Sequence, residues 1–148
     1  MVPISGDLKK ILAKTNLKVS PDNYSIVFID PGQRKEAWDL MKDLKPFTSY
    51  TITSDEVSLV LQSSDWVRAR AGFSGSREEG PYSLITFDLV LDLSIVGFMS
   101  VVSTALAESG VSIYALSTYL KDHILVKKED AGKAVRVLNG LIDDTRTR

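Results

Sequence analysis

The sequence contains no cysteine. That excludes disulfide bridges, thiolate zinc sites and a cysteine nucleophile, and it suits a reducing compartment. Histidine is almost as scarce, with His123 the only one. Any histidine-based triad has to run through that residue. An excess of either charge is also missing. With 18 basic and 19 acidic residues the formal net charge is −1, and the basic residues gather no further than pairs such as Lys9-Lys10 and Lys127-Lys128. Phosphate backbones demand a concentrated positive field, so no nucleic-acid partner is expected. No apolar run reaches the roughly 20 residues that cross a bilayer. The opening Met1-Val-Pro-Ile-Ser-Gly-Asp lacks a charged-then-apolar signal pattern. No membrane association and a cytoplasmic location are therefore expected. Gly72, Gly75 and Gly80 precede no helix with the Lys-Ser/Thr of a phosphate-binding loop, and no cofactor is expected.

What is present is the balance of an ordinary globular chain, with 44% hydrophobic and 25% charged residues over 148 positions. Folding a chain of this length hides roughly 68–70% of its unfolded surface. Residues 8–19 fit a helix or a strand, because periodicity does not decide short runs. Ser20-Pro-Asp-Asn has turn composition. The β-branched and aromatic run at 24–29 predicts a buried strand. Ala37, Leu40, Met41 and Leu44 predict an amphipathic helix over 33–44, which Pro46 ends. Residues 48–53 and 57–62 are further strand candidates, and 66–73 another. Residues 72–81, rich in glycine and charge, read as a linker or loop. The expected division is an N-terminal subdomain 1–65 and a C-terminal subdomain 66–148.

The second half has the clearer pattern. A strand over 82–91 leads to a helix over 94–109, whose apolar stripe is Ile95, Phe98, Met99, Val102, Ala105 and Leu106. Asp92 or Ser94 is placed to cap its start and Gly110 its end. Strands at 111–118 and 123–127 form a hairpin, and a last helix covers 129–141. Strand, helix, strand, strand, helix makes an α+β sandwich of ferredoxin-like kind, a sheet containing antiparallel pairs with helices on one face.

Catalysis would require His123 with Asp88 or Asp92. His123 leads the apolar strand Ile124-Leu-Val and reads as a hydrogen-bonded strand-end residue, so neither catalytic nor metal-ligating residues are expected. A binding site is easier to build. The first turn of a helix carries unpaired N–H groups and a positive dipole end, which suit a carboxylate. Ser94, Ile95, Val96 and Gly97 form that start. Gly97 admits a close approach, of a ligand or of a packed strand. Asp122 at the hairpin end reads alone as a solvated turn residue, but it could accept a charge-assisted bond from a ligand ammonium group. Ser117 and Thr118 could add hydroxyls and Tyr119 an aromatic wall.

These residues carry a resemblance. Ser94-Ile-Val-Gly-Phe-Met, Ala105-Leu-Ala-Glu-Ser-Gly-Val-Ser-Ile-Tyr-Ala-Leu-Ser-Thr-Tyr and Asp122-His-Ile-Leu-Val are similar to the ACT domain of the CASTOR type, found in cytosolic arginine sensors and small two-ACT proteins. The first half resembles the partner domain of those small proteins through Tyr24-Ser-Ile-Val-Phe-Ile-Asp-Pro-Gly, Pro46-Phe-Thr-Ser and Asp55-Glu-Val-Ser-Leu-Val. The resemblance implies two ferredoxin-like, ACT-type subdomains in a non-catalytic regulatory protein. It implies an amino acid or similar small molecule bound at an ACT domain interface, a homodimer, and a regulatory protein partner. Thr118, Tyr119 and Asp122 match the ligand-contacting strand and turn of the family; Ile95, Val96 and Gly97 match the loop and helix start opposite. Lys121, where related sequences are less basic, would repel an arginine side chain if it faced the pocket. A ligand-independent interaction or scaffold dimer is the alternative.

Overall fold

The computed structural model describes residues 4–147. Its elements are α1 (Gly6–Ala13), β1 (Leu17–Ile29), α2 (Arg34–Met41), β2 (Ser49–Ile52), β3 (Val57–Gln62), α3 (Ser63–Ala69), β4 (Arg77–Phe87), α4 (Phe98–Glu108), β5 (Tyr114–Ser117), β6 (Asp122–Lys127) and α5 (Ala131–Arg146). The class is α+β with antiparallel pairing. Two compact units form: Pro21–Tyr82, and Met1–Ser20 with Ser83–Arg148.

In the unit Pro21–Tyr82 the strand order is β2-β3-β1-β4. Tyr24 pairs with Gln62 and Ile29 with Val57, while Ser49 pairs with Val60 and Ile52 with Val57. Alternate residues Val27 and Ile29, then Val57, Leu59 and Leu61, turn one sheet face toward Ala37 and Met41 of α2 and Trp66 of α3, as a period of two requires. The first half of β4 approaches β1 closely: a Cβ on Gly80 would lie 3.0 Å from the Tyr24 carbonyl oxygen. That approach explains a glycine inside a strand.

In the second unit the order is β1-β4-β6-β5. Ile85 and Phe87 of β4 and Ile124 and Val126 of β6 face Leu8 and Leu12 of α1, Phe98, Val102 and Leu106 of α4, and Ala134 and Leu138 of α5. Each fully buried Leu, Ile or Phe contributes about 1.5–3 kcal/mol. The N-terminal helix belongs to this core for a specific reason. The Ser5 hydroxyl caps it by accepting from the Leu8 N–H at 3.1 Å. At its other end the Arg146 guanidinium donates to the carbonyls of Ala13 and Thr15 at 2.7 and 3.0 Å.

Several expectations change. The contiguous division 1–65 and 66–148 gives way to units in which the first 20 residues join the C-terminal part, because Leu8 and Leu12 complete its core; residues 1–3 and 148 of that division lie outside the described residues. Residues 66–73 are helical instead of extended, with Trp66 and Phe73 buried together in the other core. The turn expected at Ser20-Pro-Asp-Asn is part of β1. Pairing with β3 starts only at Tyr24, so Pro21 lies where β1 has an open side and its missing N–H breaks no bond to β3. The second half of the supposed linker 72–81 is strand, since β4 starts at Arg77, whose guanidinium lies 4.6 Å from the Phe28 ring centroid.

Candidate ligand-binding cleft

The helix expected from Ser94 begins at Phe98. Gly97 stops it from starting earlier, because its φ of +94° is left-handed, a conformation that glycine adopts without steric cost. Asp92 and Ser94 do not cap it. The Asp92 carboxylate instead accepts the Ser94 N–H at 2.8 Å and the Ser94 hydroxyl at 2.5 Å, closing a local turn. Those two bonds, the hydroxyl's first, hold the Asp92 carboxyl below the usual carboxylate range. Gly97 has no side chain to cap α4, and the first intrahelical bond is Val101 N–H to the Gly97 carbonyl at 3.0 Å. The leading amides of α4 therefore have no partner from a capping side chain.

That first turn lines a cleft of about 280 Å³, close to the lower end of ligand-pocket volumes, about 300 Å³. The wall is Leu91, Asp92, Leu93, Ile95 and Gly97 from the loop, Phe98, Met99 and Ser100 from the helix, and Ser117, Thr118 and Asp122 from the hairpin. Of the residues expected from sequence, Ile95, Gly97, Ser117, Thr118 and Asp122 meet there. Ser94, Val96 and Tyr119 do not line it: Ser94 is bound to Asp92, and the side chains of Val96 and Tyr119 point outward, 86% and 79% exposed. The sequence did not mark Leu91, Asp92, Leu93, Phe98, Met99 and Ser100 as wall residues; the left-handed Gly97, which moves the helix start downstream, was the available signal.

The hairpin is held in shape by Thr118. Its N–H and its hydroxyl both donate to the Lys121 carbonyl, at 2.9 and 2.8 Å, and the hydroxyl accepts from the Lys121 N–H at 3.3 Å. The Leu91 N–H donates to the Leu120 carbonyl at 2.7 Å, tying the loop to the hairpin tip. Lys121 does not face the cleft. Its ammonium donates to Asp88 at 2.6 Å, and that bond with its charge holds the Asp88 carboxyl below its ordinary range. Among the described residues, the charged ones in the wall are thus Asp92 and Asp122.

His123 is buried behind the hairpin, with Thr86 Oγ1 2.9 Å from Nδ1 and Thr118 Oγ1 3.4 Å from Nε2. Asp88 pairs with Lys121, and Asp92 accepts from Ser94. Among the described residues no group of three or more His, Cys, Asp or Glu is placed to hold a metal ion. Burial pushes the His123 imidazole below 6.5, against the pull of the Asp122 carboxylate and with help from Lys121. The folded chain therefore binds this proton less tightly than the unfolded chain. The associated stability is complete above the unfolded value and is lost as pH falls through the lower folded value. Melting temperature should drop as pH falls below the ordinary imidazole value of 6.5, and His123→Gln should flatten that slope. Equal slopes in the two proteins would refute this assignment.

The unit thus carries a small cleft between a helix start and a hairpin carboxylate. Residues 78–140, which contain the whole cleft, match the family model of the ACT domain. No curated protein sequence matches the chain. Among solved structures, a Vibrio cholerae protein of unknown function, described as a possible transport protein, is 25% identical, with a TM-score of 0.72 over 91% of this chain and 95% of the other. An Agrobacterium tumefaciens protein is also 25% identical, with a TM-score of 0.71 over 86% and 89%. The regulatory subunit of aspartate kinase from Thermus thermophilus shares the fold at 13% identity, with a TM-score of 0.64 over 85% and 97%.

Proposed function

We propose that this protein is a non-catalytic amino-acid sensor, built from two ferredoxin-like, ACT-type subdomains and acting as a homodimer in the cytoplasm. One observation carries the reading: the first turn of α4 and the Asp122 carboxylate line one cleft, inside the segment matched by a family of regulatory, amino-acid-binding domains. The ligand carboxylate meets the amides of the first turn, and its ammonium group meets Asp122. The side chain lies against Leu91, Leu93, Ile95 and Met99. Acidic amino acids fit worst, because the charged wall residues are both carboxylates. Basic ones are admitted, because Lys121 is held by Asp88.

Support for an interface location comes from the rim. Val90, Leu93 and Val96 on the loop and Tyr119 and Leu120 on the hairpin tip are large, apolar and exposed. Clustered apolar residues of this kind mark docking surfaces, and a second copy of the chain closing over the cleft would cover them. The same rim also favours the second reading, a dimer that needs no ligand. Calorimetry against the twenty amino acids, with melting temperature read alongside, separates the two. A native-state ligand must raise apparent stability. Saturable heat with a raised melting temperature is the expected result. Silence at millimolar concentration, with a dimer unaffected by every amino acid, would sink the sensor reading.

A further inference from the structure

The two hairpins, β2–β3 and β5–β6, are built on one plan. Each ends on a closing pair, Ile52 with Val57 and Ser117 with Asp122. A threonine staples each turn. The Thr53 N–H donates to the Glu56 carbonyl at 2.9 Å and its hydroxyl accepts the Glu56 N–H at 3.1 Å, as Thr118 does with Lys121. Each hairpin also shares its core with the helix that follows a long strand, α2 after β1 or α4 after β4. The plan differs at three places.

Asp122 of the second hairpin corresponds to Val57, which is fully buried. Residues 88–97, which supply much of the cleft wall, correspond to the shorter stretch 30–33. The third difference is the strand residue two places before the closing pair, Tyr50 in β2 and Ala115 in β5. Tyr50 stands opposite Leu59 and Ala115 opposite Ile124, both core residues. Directly opposed residues share a sheet face, so Tyr50 and Ala115 both turn toward the helices. The Tyr50 ring reaches the helix beside it: its hydroxyl donates at 3.0 Å to the carbonyl of Arg34, the first residue of α2, and the ring sits edge-on to Trp38 at 5.6 Å. In the other unit the cleft lies between the end of β5, at Ser117, and the first turn of α4; Ala115, one step back on the same face, is exposed and stands outside its wall.

We propose that Ala115 is the residue whose small size keeps the ligand cleft open, and that Tyr50 and Val57 close the corresponding place in the unit Pro21–Tyr82, so that each chain takes one amino acid. This rests on the sensor reading above. A tyrosine at 115 would lay its ring over the first turn of α4, as Tyr50 does over α2. It should not harm the strand, because aromatic residues suit an edge strand at least as well as alanine.

The experiment titrates the wild type, Ala115→Ser and Ala115→Tyr with the twenty L-amino acids singly, with circular dichroism and melting temperature as controls of fold. The expected result is one ligand per chain for the wild type, little change for Ala115→Ser, and affinity weakened about tenfold or more for a folded Ala115→Tyr, on the scale of an overpacked site. Should Ala115→Tyr fold poorly, Ala115→Val, with its smaller side chain, must weaken binding to an intermediate degree. Two ligands per wild-type chain would overturn the inference, and so would undiminished affinity in folded Ala115→Tyr or in Ala115→Val; in both cases the sensor reading stands. A silent wild type would overturn the sensor reading itself, and this inference with it.

Discussion

Replacing Asp122 with asparagine should weaken amino-acid binding about 10- to 150-fold, the range that corresponds to the roughly 1.5–3 kcal/mol of a hydrogen bond to a charged group. The size follows from the composition of the wall. Asp92 is the other carboxylate there, and one of its oxygens already accepts two bonds from Ser94. The folded state should hardly notice the change, because Asn keeps the shape and the position lies at the end of a hairpin. The melting temperature should stay within about 0.5 kcal/mol of the wild type in stability terms. Calorimetry and thermal melts check the two halves of the statement. Equal affinity for wild type and Asp122→Asn would remove Asp122 from the site.

The second large effect is structural. Phe98 is the first residue of α4, a wall residue of the cleft, and 4% exposed. Its ring meets Phe87 of β4 edge-on, with centroids 5.3 Å apart. Phe98→Ala should cost about 3–5 kcal/mol, from lost burial and the cavity left behind. In a chain of this size that is about 10 °C or more in melting temperature. Met99→Ala, next along the helix but only partly buried, should cost much less. A variant at 98 as stable as the one at 99 would show that the Phe87–Phe98 contact does not anchor the helix.

The strands made of apolar, β-branched runs were readable from sequence. Val27 and Ile29, Val57, Leu59 and Leu61, and Ile124 and Val126 each repeat at two, and all became core. The helices over α2, α4 and α5 were readable for the same reason at a longer period. What misled were residues whose role is set by a distant partner. Pro21 sits in a strand because β3 does not reach it. Trp66 and Phe73 are β-formers by composition, yet they are held by a helix that buries them together. The bringing together of Gly97, Ser117, Thr118 and Asp122 was readable because each lies at an element end. The orientation of Lys121 was not, since nothing near it in sequence announces Asp88. Nor was the size contrast between Ala115 and Tyr50, which has meaning only once the two hairpins are compared.

The division of the chain has a consequence for its birth on the ribosome. The unit Pro21–Tyr82 is one continuous stretch, so all of it is available well before synthesis ends. The other unit needs Leu8 and Leu12 at one end and Leu138 at the other, and its α1 is fastened by Arg146. Its first segment must wait, unassembled, until α5 has emerged. Contacts of such long sequence separation form slowly, and domains generally fold as units during synthesis. The half that carries the cleft is therefore the last to mature. A chain cut short before α5 would present a finished first unit beside an exposed, unclosed core.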